Sequence, residues 1–97
     1  MFELFVVYVA AEEGGREAFV NEVKAAGYDE IIRKEDGCVS YDYYAAMEDP
    51  KKLLLIERWE SEEKQQIHVK QPHMTELRKI KDKYVVDTKL ATFNCSK

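Results

Sequence analysis

A chain of 97 residues fits one domain and leaves no room for a second, and it can bury roughly 60–65% of its unfolded surface, enough for one modest core. Its 45% hydrophobic and 11% aromatic content argue for a folded domain over a disordered one. With 15 basic against 19 acidic side chains, the formal charge of −4 excludes the net basic surface that general nucleic-acid binding requires. In chain order, Phe2 to Ala10 is β-branched and aromatic and predicts a strand, which Gly14-Gly15 breaks. Arg16 to Ala26 places Phe19, Val20, Val23 and Ala26 at helical spacing. Gly27 ends or kinks that helix, and Ile31 and Ile32 predict another turn or two before the stop at Asp36-Gly37. Cys38 to Met47 and Lys52 to Glu60 predict the next two strands, joined through Met47-Glu48-Asp49-Pro50-Lys51 as a hairpin loop. Ser61 followed by Glu62 and Glu63 is a helix N-cap with acids in the first turn, and that helix should run to about Val69. Pro72 suits the first position of another helix, with Met74, Leu77, Ile80 and Tyr84 as its apolar stripe. Tyr84 to Phe93 predicts the closing strand.

The order β-α-β-β-α-β, with its second helical segment split at Gln71-Pro72, predicts an α+β fold of the ferredoxin-like, split βαβ kind in residues 1–97. Its antiparallel sheet carries helices on one face, and the first and third strands are central. Those two strands read Leu4-Phe5-Val6-Val7-Tyr8-Val9 and Leu53-Leu54-Leu55-Ile56, apolar on both faces, where a half-covered sheet should alternate. One chain's helices cover one face, so the other calls for a second copy of the sheet, and a homodimer by sheet-on-sheet packing is expected. No apolar run approaches the roughly 18 residues of a membrane span. The Met1-Phe2-Glu3-Leu4 start shows no basic leader, and two cysteines, Cys38 and Cys95, are too few for a disulfide framework. A cytoplasmic protein with reduced thiols is the expectation, though a Cys38–Cys95 bridge stays open.

Three features occur in order: Gly37-Cys38-x-x-Tyr41, Glu57-x-Trp59-Glu60-Ser61, and His68-x-x-x-Pro72-His73-Met74. With Glu35-Asp36 before the first and Asp49-Pro50 before the second, they resemble the antibiotic biosynthesis monooxygenase (ABM) superfamily. The motifs span residues 35–74, and the element order extends the match across nearly the whole chain. The resemblance implies a dimeric α+β barrel, a ligand cavity between sheet and helices in each subunit, and a His-x-x-x-Pro-His element bordering that cavity. The superfamily includes cofactor-independent quinol and polyketide monooxygenases, haem-degrading enzymes, and an isomerase branch acting on a phosphorylated signal. The haem-degrading branch uses an Asn on the first strand, a Trp where this chain has His68, and a haem-ligating His where it has Arg78. All three positions depart here, the first-strand region being Val7-Tyr8. The isomerase branch usually carries a Tyr where Trp59 stands. A monooxygenase-type member needing no cofactor is the reading that remains.

His68 and His73 flank the helix break. His68 lies in a last helical turn, where the dipole favours imidazolium, and His73 in a first turn, where it favours the neutral ring. Such a pair divides acid from base, and both are the catalytic candidates, with surface helix caps as the bland alternative. A metal site is not expected, because the pair lacks the His-Glu-x-x-His pattern and shows no third ligand nearby. Glu57 and Trp59 share a strand face with Leu53 and Leu55, so Glu57 must find a partner or shift its pKa upward; Arg58 points away. Tyr41 and Tyr43 share a face of the second strand, with Tyr44 opposite. Together with Tyr8, Phe19 and Met74 they are candidates to line an aromatic substrate pocket, or simply to form core. Arg78-Lys79-Lys81-Lys83 reads as the solvated face of the last helix, and Cys38 as an inert thiol. Two alternatives to the enzyme stand: a small-ligand-binding module with the same dimer and cavity, and an isomerase of a small phosphorylated compound. The isomerase needs anion donors, for which Lys70 and the helix start at Pro72 are available.

Overall fold

The computed structural model describes residues 1–94. Its elements are β1 (Phe2–Ala10), α1 (Gly15–Ala25), α2 (Tyr28–Arg33), β2 (Cys38–Ala45), β3 (Lys52–Trp59), α3 (Glu62–Val69), α4 (Pro72–Tyr84) and β4 (Val85–Asn94). The four strands form one antiparallel sheet in the order β2-β3-β1-β4, so β1 and β3 are central, as the ferredoxin-like pattern requires. Cys95 lies outside the described residues, and Cys38 is a free thiol.

Alternation decides which side chains enter the core. Phe2, Leu4, Val6, Tyr8 and Ala10 of β1 and Leu53, Leu55, Glu57 and Trp59 of β3 are buried on the face that the helices cover. There they meet Phe19 and Val23 of α1, Ile32 of α2, and Met74 and Leu77 of α4. The opposite face carries Phe5, Val7, Leu54 and Ile56, which are half-buried by their sheet neighbours alone. Phe5 meets Phe93 of β4 edge to face at 5.2 Å, and Arg58 pairs with Glu3 at one end of this face. No described helix is long and apolar enough to cross a membrane.

The element ends differ from expectation where hydrogen bonds decide them. β2 stops at Ala45, two residues before Met47, because the Ala46 amide turns in to donate to the Lys52 carbonyl and closes the hairpin. The Arg16 guanidinium of α1 pins that hairpin by donating to the carbonyls of Ala46, Asp49 and Lys52. Tyr84 belongs to α4, and β4 begins at Val85. Ser61 caps α3 as expected, its Oγ accepting from the Lys64 amide. Gly37, at φ +87°, turns the chain from α2 into β2 directly under Lys64, where any Cβ would collide with the lysine stem. Its carbonyl accepts from the Glu60 amide at 2.8 Å, which ties this turn to the end of β3.

Candidate active site

The break between α3 and α4 takes two residues. Val69 ends α3, Lys70 and Gln71 turn the chain, and Pro72, which has no amide proton to lose, opens α4. His68 and His73 therefore sit on two different helices. Both turn toward one acceptor: Glu35 Oε2 lies 2.9 Å from His68 Nδ1 and 2.7 Å from His73 Nε2. Glu35 is placed by the turn after α2, where its amide donates to the Ile32 carbonyl and its own carbonyl accepts from the Cys38 amide. One atom capable of metal ligation from each of the three residues lies within 4.8 Å of the others. This corrects the expectation that the histidines lack a third metal-ligating neighbour. Glu35 is that neighbour, 33 residues from His68 in sequence.

The far side of His68 faces a second carboxylate, with Nε2 3.9 Å from Glu57 Oε1. Glu57 has found a partner on its own strand, because the Trp59 indole N–H donates to Oε1 at 3.1 Å. Burial nonetheless pushes the Glu57 carboxyl up to about 7, against the lowering effect of the indole bond and with help from the nearby Glu35 charge. His68 is 2% exposed, and burial moves its pKa down even though Glu35 favours the charged ring. The dipole argument thus fails for His68. Desolvation outweighs the helix end and favours the neutral imidazole, where the sequence predicted imidazolium.

Aromatic rings run from this cluster across the sheet. Trp59 lies 4.6 Å from His68, and Tyr41 6.2 Å from it on another side. Tyr41 meets Tyr43 at 5.8 Å, Tyr43 meets Phe19 at 6.0 Å, and Phe19 meets Tyr8 at 5.5 Å, each pair edge to face. Burial holds the Tyr8 and Tyr41 hydroxyls well above the ordinary phenol range and pushes Tyr43 up to about 12. Met74 is buried in the same core from α4. The expected pocket residues are therefore gathered in one place, but as rings packed on one another. Tyr43 borders an opening, a cavity of about 240 Å³ between α1 and the hairpin end of the sheet, lined also by Arg16, Val20 and Leu53. Its hydroxyl is buried beside that of Tyr41 without a well-formed hydrogen bond. A second cavity, of about 180 Å³, opens on the opposite side at Glu35, Lys64, Ile67 and Gln71.

Outside the cluster, Cys38 is half-buried and its thiol is pushed up to about 11 by burial, which disfavours the reactive thiolate. Arg78 does more than face solvent, since its guanidinium caps the Val69 carbonyl at the end of α3. Lys70 is exposed. Glu35 is the functional candidate that residue-by-residue reading misses. One signal points to it: Cys38 pairs with Trp59, so the turn just before Cys38 must lie at the Glu57–Trp59 end of the sheet.

The sequence profile of the Antibiotic biosynthesis monooxygenase (ABM) family matches residues 4–80. No curated protein matches the chain by sequence. Among solved structures, Rv0793 from Mycobacterium tuberculosis is 22% identical, covers 99% of this chain and 95% of its own, and superposes with a TM-score of 0.82. PA3566 from Pseudomonas aeruginosa is likewise 22% identical, with 99% and 94% coverage and a TM-score of 0.82. A Nitrosomonas europaea protein, named provisionally as an antibiotic biosynthesis monooxygenase, is 18% identical over the whole of both chains at a TM-score of 0.84. At these identities the structures speak for the fold, and the profile speaks for the family. The chain belongs to the antibiotic biosynthesis monooxygenase family.

Proposed function

We propose that the protein is a monooxygenase of small, electron-rich aromatics, a quinol or polyketide-like phenol, working without a cofactor. The observation that carries this is His68, buried and set between two carboxylates beside a row of aromatic rings. For a phenol the reaction balances as phenol plus O₂ giving quinone plus water. One oxygen atom enters the ring, the other leaves as water, and the substrate supplies all four electrons. The protein's part is to take the phenolic proton, hold the ring, and keep water out. His73 is the more accessible base and His68 the buried one, and their common Glu35 stabilises whichever ring becomes charged. The ring substrate is admitted from the cavity at Tyr43 and displaces edge-to-face partners among Tyr8, Phe19, Tyr41 and Tyr43. Trp59 and Met74 form the wall behind them. Oxygen uptake with a quinol and phenol panel tests this. His73→Ala and Glu35→Gln should each lower kcat/KM about a hundredfold; full activity in both variants would refute the assignment.

We further propose that the chain works as a homodimer with a second copy packed on the open sheet face. Phe5, Val7, Leu54 and Ile56 form the centre of that face, with Tyr44 and Phe93 about half exposed around it. A second reading of the site, ligand binding without chemistry, draws support from the closed packing of the rings between the Tyr43 cavity and the histidines. A ligand that raises Tm and is recovered unchanged under oxygen would favour it.

A further inference from the structure

We propose that Glu35, His68 and His73 form a three-ligand binding site for a divalent transition ion of the zinc class. This stands on the cluster's geometry alone and does not require the oxygenase reading. Two imidazole nitrogens and one carboxylate oxygen are a borderline donor set, suited to Zn²⁺, Co²⁺ or Ni²⁺ and poorly suited to Mg²⁺ or Ca²⁺. The three atoms already converge within 4.8 Å, and they come from three segments, the turn after α2, the end of α3 and the start of α4. A tetrahedral ion with bonds near 2.1 Å needs its ligand atoms about 3.4 Å apart. The present N···O separations of 2.9 and 2.7 Å are those of hydrogen bonds, so an ion enters when each ring carries its proton on its other nitrogen, leaving a lone pair toward the site, and the carboxylate withdraws by roughly 0.6 Å.

There is room for that movement. The Glu35 side chain is 12% exposed and borders the cavity of about 180 Å³ that it shares with Lys64, Ile67 and Gln71. The same opening admits water as a fourth ligand. The surroundings are also those a metal-bound imidazole requires. A ligating histidine usually presents its other nitrogen to a carboxylate that fixes the ring, and His68 ligating through Nδ1 leaves Nε2 facing Glu57 at 3.9 Å. Glu57 is in turn held by the Trp59 indole. Because a ring that ligates through the nitrogen facing Glu35 carries its proton on the other nitrogen, it has no lone pair left for proton abstraction, and an oxygenase using these histidines is inhibited when the site is filled.

The tag-free, chelator-stripped full chain is titrated with ZnCl₂ by calorimetry, while the imidazole signals are followed by ¹⁵N-resolved NMR. The chain has two histidines, so the two rings account for every such signal. The expected result is one ion per chain, shifts of both rings complete at one equivalent, and no response to Mg²⁺. Glu35→Gln and His73→Gln should each weaken Zn²⁺ binding at least a hundredfold, and Glu57→Gln about 10- to 100-fold. Absence of saturable one-to-one binding overturns the proposal, as does binding undiminished in both Glu35→Gln and His73→Gln. Should those variants fail to fold, the native chain decides: an unmoved pair of rings at one equivalent refutes the site. Neither readout involves turnover, so a protein that consumes no oxygen yet binds Zn²⁺ at these rings defeats the oxygenase reading and leaves this one intact.

Discussion

Glu57→Gln should make the metal-free protein more stable at alkaline pH than the native chain, and the two should converge in acid. Burial raises the Glu57 carboxyl from the ordinary 4.5 to about 7. At 1.36 kcal/mol for each tenfold change in proton affinity, this amounts to about 3 kcal/mol. The sign follows from which state holds the proton. Below about pH 4.5 the group is protonated folded and unfolded alike and contributes nothing. As pH rises toward 7 the unfolded chain ionises first, and the folded state loses stability progressively; above 7 the full loss remains. Glutamine keeps the oxygen that accepts from the Trp59 indole and removes the charge, so the variant's advantage should grow through this window and level off near pH 8. His68 titrates with the opposite sign, losing stability as pH falls, but it is present in both proteins and largely cancels in the difference. Urea unfolding at fixed protein concentration with chelator present, from pH 4.5 to 8, measures this. A stability difference that stays flat, or that turns against the variant at pH 8, would refute the account of a carboxylate strained by desolvation.

Trp59→Phe preserves most of the packing but removes the indole donor to Glu57, and should cost about 1–3 kcal/mol by chemical denaturation, more at pH 8 than at pH 5. Arg16→Met leaves the Ala46, Asp49 and Lys52 carbonyls without their shared guanidinium. Faster hydrogen exchange at the hairpin and a loss of about 2 kcal/mol should follow, and unchanged exchange would show the pin to be dispensable. Ile56→Asp puts a charge at the centre of the open sheet face. Light scattering should find the native chain at twice its sequence mass and the variant at once; a native chain already monomeric at micromolar concentration would refute the dimer.

The fold was legible because it is written in short-range chemistry. Strand alternation, the Ser61 cap and Pro72 at a helix start are local, and each is where the residues place it. That Glu57 and Trp59 share a strand face was readable for the same reason, being two residues apart, whereas the indole bond between them was not. The site resisted where its meaning depends on distance. Glu35 means nothing beside Asp36 and Gly37 until the sheet register brings Cys38 opposite Trp59. The charge state of His68 resisted too. A helix end is visible in sequence, whereas the near-complete burial that overrides it comes with Tyr41 of β2 and Trp59 of β3 packing on the ring.

The two-residue interruption between α3 and α4 is what makes a shared carboxylate reachable. On an unbroken helix, residues five apart point about 140° away from each other and are separated by about 7.5 Å along the axis. His68 and His73 would then face opposite sides, and no single oxygen could touch both. The interruption acts as a fold in a ribbon, laying two distant marks on top of each other. The spacing of the two histidines is therefore meaningful only together with Pro72. A chain that kept both rings but let the helix run through would retain every reactive group and lose the place where they act together.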